Sequence, residues 1–235
     1  MAGFFINTGI CWDKHRPPHF ESLFPIVPQK YNNAAISTPI LAEDTITRVK
    51  LANMRTRHAY SLVVSPAVKI DISSASPNAC GLWLVLGELN GVWYNSIPFQ
   101  VVMPSNDIAY IDTYMTGGAD YVVGGNTYPH RIFFRLANLQ IDTAEKVTKY
   151  DDERGTIIPL SATNYTTYSL RTMNTDAYTL AKLMKISNND HITLNYIDAD
   201  SHPQSVNLVR GVEAPTIERY PKMSSGSFSC KFVKA

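Results

Sequence analysis

GLWLVLGELNGVWYNSIPFQVV, residues 81–102, is the stretch whose reading decides the fold class. Asn90-Gly91 stands between two runs rich in aromatic and branched residues. A two-residue hairpin loop needs positive φ at both central positions, which Asn and Gly tolerate, so 81–89 and 92–102 read as a β-hairpin. Leu82 to Leu86 is apolar at every position, as a central strand covered on both faces would be, and Trp83 belongs to that core. Pro98 has no N–H to give a ladder and marks a bulge or a sheet edge.

Similar runs flank this hairpin. ITRVKL (46–51), HAYSLVV (58–64) and AVKIDI (67–72) precede it. IAYIDTYM (108–115), ADYVV (119–123), RIFFRLANLQI (131–141), IIPLSA (157–162), TTYSLRTM (166–173), HITLNYI (191–197), SVNLVR (205–210) and SFSCKFV (227–233) follow. The charged stretch Asp142 to Arg154 reads as an exposed loop. TDAYTLAKLMKIS (175–187) is the helix candidate, capped by Thr175 or Asp176. Its Tyr178, Leu180 and Lys182 also alternate, which keeps a strand open there. About ten strands with at most one or two short helices predict an all-β, two-sheet β-sandwich of jelly-roll or related Greek-key topology.

Ahead of the strands lies a segment of another kind. Residues 1–45 hold Pro17, Pro18, Pro25, Pro28 and Pro39, which oppose helix interiors and central strands alike. They also hold Phe4, Phe5, Trp12, Phe20 and Phe24, too much apolar surface for a solvated tail. The expected organisation is an extended proline-rich arm, 1–45, and one β-sandwich domain, 46–235. The five aromatics are the arm's expected contacts with a neighbouring subunit. An arm packed on its own domain is the other placement.

Charged residues make up 17% of the 235-residue chain, below the usual quarter. Polar side chains or other subunits must therefore cover the surface, and subunit interfaces are poor in charge and rich in aromatics. The 13 Tyr suit that, although strands favour Tyr in any case. A net charge of +1 argues against broad phosphate-backbone binding, so nucleic-acid contact is expected to be weak or indirect. Arg48, Lys50, Arg55 and Arg57 form a local basic stretch, in which Arg48 and Lys50 share one strand face. That pattern reads as a solvated face ahead of a nucleic-acid contact.

Cys11, Cys80 and Cys230 are too few and too dispersed for a disulfide framework, and Phe228, Cys230 and Phe232 share a core face. The first residues lack a basic start followed by a long apolar core, so no secretory signal is read. No apolar run approaches the ~18 residues that span a bilayer. The expectation is a soluble protein without membrane insertion, assembled in a host cytoplasm and carried in the virion if viral.

Asp198, Asp200 and His202, near Asp190 and His191, are the densest group of metal-ligand types. The group opens like a calcium loop, but Pro203 stands where Gly is needed and Val209 where a bidentate Glu is needed, so it reads as a polar turn. His15 and His19 are separated by two prolines, which opposes a zinc-binding helix. Asp71, Glu88, Asp112 and Asp120 are the carboxylates from which a glycosidase pair would be drawn. No nucleophile elbow, phosphate loop or dinucleotide fingerprint occurs. Catalytic, cofactor and metal residues are therefore expected to be none. Trp93, Tyr94 and Tyr128 are the candidate surface aromatics for binding a ligand.

Together these features predict a non-catalytic, self-assembling structural subunit of the viral capsid (coat) type. It would form a homo- or hetero-oligomer with other β-sandwich subunits. The alternative is a glycan- or receptor-binding module, such as a spike, adhesin or lectin-like head. An enzyme would need two carboxylates facing one cleft.

Overall fold

The Asn90-Gly91 hairpin forms as its residues require. In the computed structural model Leu89 pairs with Val92 across the two-residue loop, and Gly91 has φ 78°. The structure describes residues 4–6, 10–11, 26–28, 30–31, 34–35, 37–42, 46–62, 68–71, 80–89, 91–95, 98–103, 105–113, 121–123, 126–128, 130–151, 157–187, 192–210, 214–219 and 225–235.

The hairpin's first strand centres one sheet. Its order is β3 (Ile26–Pro28), β12 (Phe99–Val102), β10 (Gly81–Leu89), β7 (Ile46–Asn53) and β8 (Ala59–Leu62), with β11 (Val92–Asn95) also on β10. The run 92–102 is thus two strands, β11 and β12, which lie along the same edge of β10. Pro98 sits between them, where its missing N–H interrupts the ladder. β3 joins the edge in parallel with β12. Alternation assigns the faces: Val49, Leu51, Trp83, Val85, Phe99 and Val101 are all buried on one side. Tyr60 packs on Trp83 with ring centroids 5.9 Å apart.

The second large sheet has the order β17 (Ile157–Thr172), β16 (His130–Asp151), β13 (Ile108–Thr113), β18 (Ile192–Ile197), β19 (Pro203–Arg210), β21 (Gly226–Lys234) and β20 (Thr216–Arg219). β17 also pairs with β21, from Thr167↔Val233 to Arg171↔Ser229, so six antiparallel strands close into a ring. Closure satisfies edges that would otherwise recruit foreign strands. The neighbours β18, β13, β16 and β17 stand in the Greek-key order, in which a fourth strand returns by a long connection beside the first. That connection carries the helix α1 (Ala177–Ile186).

Inside the ring, Ile111, Phe134, Leu170, Leu194, Leu208, Phe228 and Phe232 form one apolar cluster, joined by Leu180 and Leu183 of α1. Burying each such side chain contributes about 1.5–3 kcal/mol. Cys230 lies in the cluster between its two phenylalanines and acts as a small apolar group. On the outside of β13 and β16, Ile108 and Phe133 pack with Val102 of β12 and Ile26 of β3. This contact joins the sheets in a sandwich-like arrangement. The all-β class, the two sheets and the one short helix agree with the sequence reading.

Three smaller sheets complete the described structure: β2 (Ile10–Cys11), β1 (Phe4–Ile6), β6 (Ser37–Ala42) and β9 (Val68–Asp71); β4 (Lys30–Tyr31) with β5 (Ala34–Ala35); and β14 (Tyr121–Val123) with β15 (Asn126–Tyr128). Parts of the expected arm therefore pair within the chain, through β1 on β6, β3 on β12 and β6 on β9.

One expectation is corrected. Residues 142–151, read as part of a loop, continue β16 without a break, and 157–166 continue β17 beside them. Charge misleads there because 141–143, 145–146 and 163–165 are exposed on both faces of the ribbon and so have no need of apolar–polar alternation.

Candidate functional site

The β7–β10–β11 register assembles a cluster that no short motif predicts. Glu88 on β10 pairs with Arg48 on one side and with Trp93 on the other. Arg48 grips the Glu88 carboxylate with Nε and, at 2.7 Å, with Nη2. Glu88 is only 7% exposed, and a carboxylate so buried needs its charge matched. The fork geometry of Arg suits that role. Bonding to this carboxylate raises the Arg48 pKa above its already high value.

Trp93 stands beside the pair at 40% exposure. The Arg48 guanidinium lies 5.5 Å from its ring centre and the Lys50 ammonium 5.0 Å. Each such cation–π contact contributes about 0.5–1 kcal/mol at an exposed site. Leu82, Leu84 and Leu86 alternate onto this outer face and are half-buried. At the far end of β7 the Asn53 carboxamide oxygen accepts from the N–H groups of Arg55 and Thr56, and the Asn53 carbonyl accepts from Arg57 N–H. This turn presents Arg55 and Arg57 to solvent, Arg57 with a left-handed φ of 60°. The outer face of the first sheet therefore carries a row of half-buried leucines, an indole beside the Arg48–Glu88 pair at the hairpin end, and exposed cations.

The second surface is the β16–β17 ribbon. Pairing runs from Leu136↔Thr172 to Asp151↔Ile157, with irregularities between Leu136 and Asn138 and between Thr148 and Lys149. β13 pairs with β16 only over 130–135, and β21 with β17 only over 167–171. Among the described residues no third strand pairs with 142–151 or 157–166. At ~3.3 Å per residue this two-stranded section reaches about 33 Å. Asp142, Thr143, Glu145, Lys146, Thr163 and Asn164 are exposed, as are Ile141 at 47% and Tyr165 at 40%.

The remaining candidates fall into plain roles. Phe4 and Phe5 lie in β1, while Trp12, Phe20 and Phe24 lie outside the described residues. Tyr94 and Tyr128 are strand residues of β11 and β15. Asp112 is held in a bidentate pair by Arg131 at 2.8 and 2.7 Å, as Glu88 is by Arg48, so each of these carboxylates serves an ion pair. Asp71 lies in β9 and Asp120 outside the described residues.

Asp198, Asp200 and His202 do approach one another, with ligand atoms within 4.8 Å. Yet the Asp198 carboxylate already accepts from Asp200 N–H, His202 N–H and the Gln204 amide, at 3.0, 2.8 and 2.7 Å. The His202 N–H contributes most to holding its pKa below the usual carboxylate range. These bonds tie the turn from β18 to β19.

No protein-family model matches the chain, and no curated protein is similar to it. Among solved structures, the chain overlaps one from the tail of an empty GTA particle with C6 symmetry, at 13% identity and TM-score 0.32. The overlap covers 57% of this chain and 95% of that one. A likeness of that size carries no argument here. Among the described residues no helix is long and apolar enough to cross a membrane.

Proposed function

We propose that this chain is a non-catalytic structural subunit that assembles with copies of itself into a virion or virion-like particle, as a capsid subunit or another built part of it. The observation that carries the reading is the β16–β17 ribbon. A lone two-stranded ribbon is marginally stable in water. This one extends about 33 Å past the closed ring and exposes Ile141 and Tyr165. Among the described residues no other strand pairs with it, and in this reading a neighbouring subunit supplies the packing. The low charge content and the apolar N-terminal segment point the same way.

A glycan platform at Trp93 is less well supported. Arg48 and Lys50 compete for the ring faces on which a sugar would stack.

The test is the solution mass of the full chain by light scattering across a concentration series, alongside a variant in which 144–165, between the paired Thr143 and Thr166, is replaced by a two-residue Asn-Gly turn. The expected result is a discrete assembly for the full chain and monomers for the variant. A full chain that stays monomeric at every concentration contradicts the proposal.

A further inference from the structure

We infer that the ribbon of one subunit docks on the outer face of β7, β10 and β11 of a second copy, with Trp93 at the centre of the contact. The inference rests on the assembly reading above and specifies its interface.

Charge complementarity is the first argument. Residues 142–166 hold five acids, Asp142, Glu145, Asp151, Asp152 and Glu153, against three bases. Residues 46–61 hold Arg48, Lys50, Arg55 and Arg57 and no acid. Glu88 pairs with Arg48. In a chain of net charge +1 these are opposite local excesses in sequence, and of the residues that carry them Asp142 and Glu145 on the ribbon and Arg48, Arg55 and Arg57 on the first sheet are exposed. Opposed patches of this kind steer encounter and fix register.

The second argument is apolar. The ribbon exposes Ile141 and Tyr165, and the receiving face exposes Trp93 on the side of the sheet that carries the half-buried Leu84 and Leu86. An aromatic anchor within a polar rim is the usual make-up of an interface centre. The third is length. β7 spans eight residues, about 26 Å, and its basic turn extends it, against about 33 Å of ribbon. Ribbon and seat are different patches of one chain, so the contact is heterologous, and repetition yields a ring or an open filament.

The test is a charge exchange in the full chain. One variant carries Lys50→Glu and Arg55→Glu and leaves the Arg48–Glu88 pair intact. The other carries Asp142→Lys and Glu145→Lys. Arg55→Glu alone, at an exposed turn position, tests the seat with no effect on folding. Thermal melts check that each variant folds.

Each double variant should assemble at least ~10-fold more weakly than the wild type, and Arg55→Glu alone should weaken assembly less. An equimolar mixture of the two double variants should reassemble, because each reversed seat then meets a reversed ribbon. Double variants that assemble like the wild type, or a mixture that stays dissociated, overturn the inference. If the ribbon deletion dissociates the particle and these reversals do not, only the seat is wrong. If the full chain never assembles, the assembly reading fails as well.

Discussion

Single residues set the local geometry, and several do so visibly in the sequence. Asp176 is buried, and its carboxylate accepts from Thr179 N–H at 2.9 Å, which makes it the N-cap of α1. Thr175, the other candidate, instead bridges to Gly226 and bonds its hydroxyl to the Met173 carbonyl. Asp176→Ala should therefore lower stability by about 1 kcal/mol in denaturant titrations, and Thr175 has no part in that cost. The Asp198 turn gives a pH signature. Its carboxylate has a depressed pKa in the folded chain, first through His202 N–H, so its stabilisation is complete above the unfolded value of about 3.9. It is lost as pH falls through the folded value. The wild type's advantage over Asp198→Asn in thermal melts should hold from about pH 7 to 5 and shrink below about pH 4. An advantage unchanged at about pH 2.5 would contradict this role.

Elements were legible where one face is buried and the other wet. In β13, β18 and β21 the residues Ile111, Leu194, Phe228, Cys230 and Phe232 fill the ring interior, although some residues of the other face are buried as well. The helix α1 was marked by its cap candidates Thr175 and Asp176, while the alternation of Tyr178, Leu180 and Lys182 kept a strand open. Leu183 is fully buried in the ring's apolar cluster. Leu183→Ala should cost about 2–5 kcal/mol in the same titrations, and a cost below about 1 kcal/mol would place α1 outside the core. The ribbon was less legible because, among its described side chains, residues on both faces are exposed. A sign was nevertheless present: no Gly or Pro interrupts residues 130–151. Half of the candidate site could be read from the sequence. The two-residue loop at Asn90-Gly91 fixes Glu88 opposite Trp93, and period two puts Arg48 beside Lys50. The pairing of β7 with β10 joins these halves across about 40 residues, and no local pattern encodes it.

At the scale of the whole molecule, the closed ring, the sheet packed on it and the projecting ribbon divide the labour. The ring satisfies its own edges through β17 and β21, so strand addition there has little to offer a partner. In the proposed assembly, association falls instead to the ribbon and to the cationic, aromatic face of the first sheet. Amide hydrogen exchange tests this division most directly, followed by mass spectrometry on the full chain at low and at high concentration. In the dilute monomer the amides of 142–151 and 157–166 should exchange far faster than those of β13, β18 and β21. On assembly the ribbon should gain protection together with residues 48–57 and 92–94, while the ring stays as it was. Equal exchange of the ribbon at both concentrations would contradict the claim that a second copy covers it.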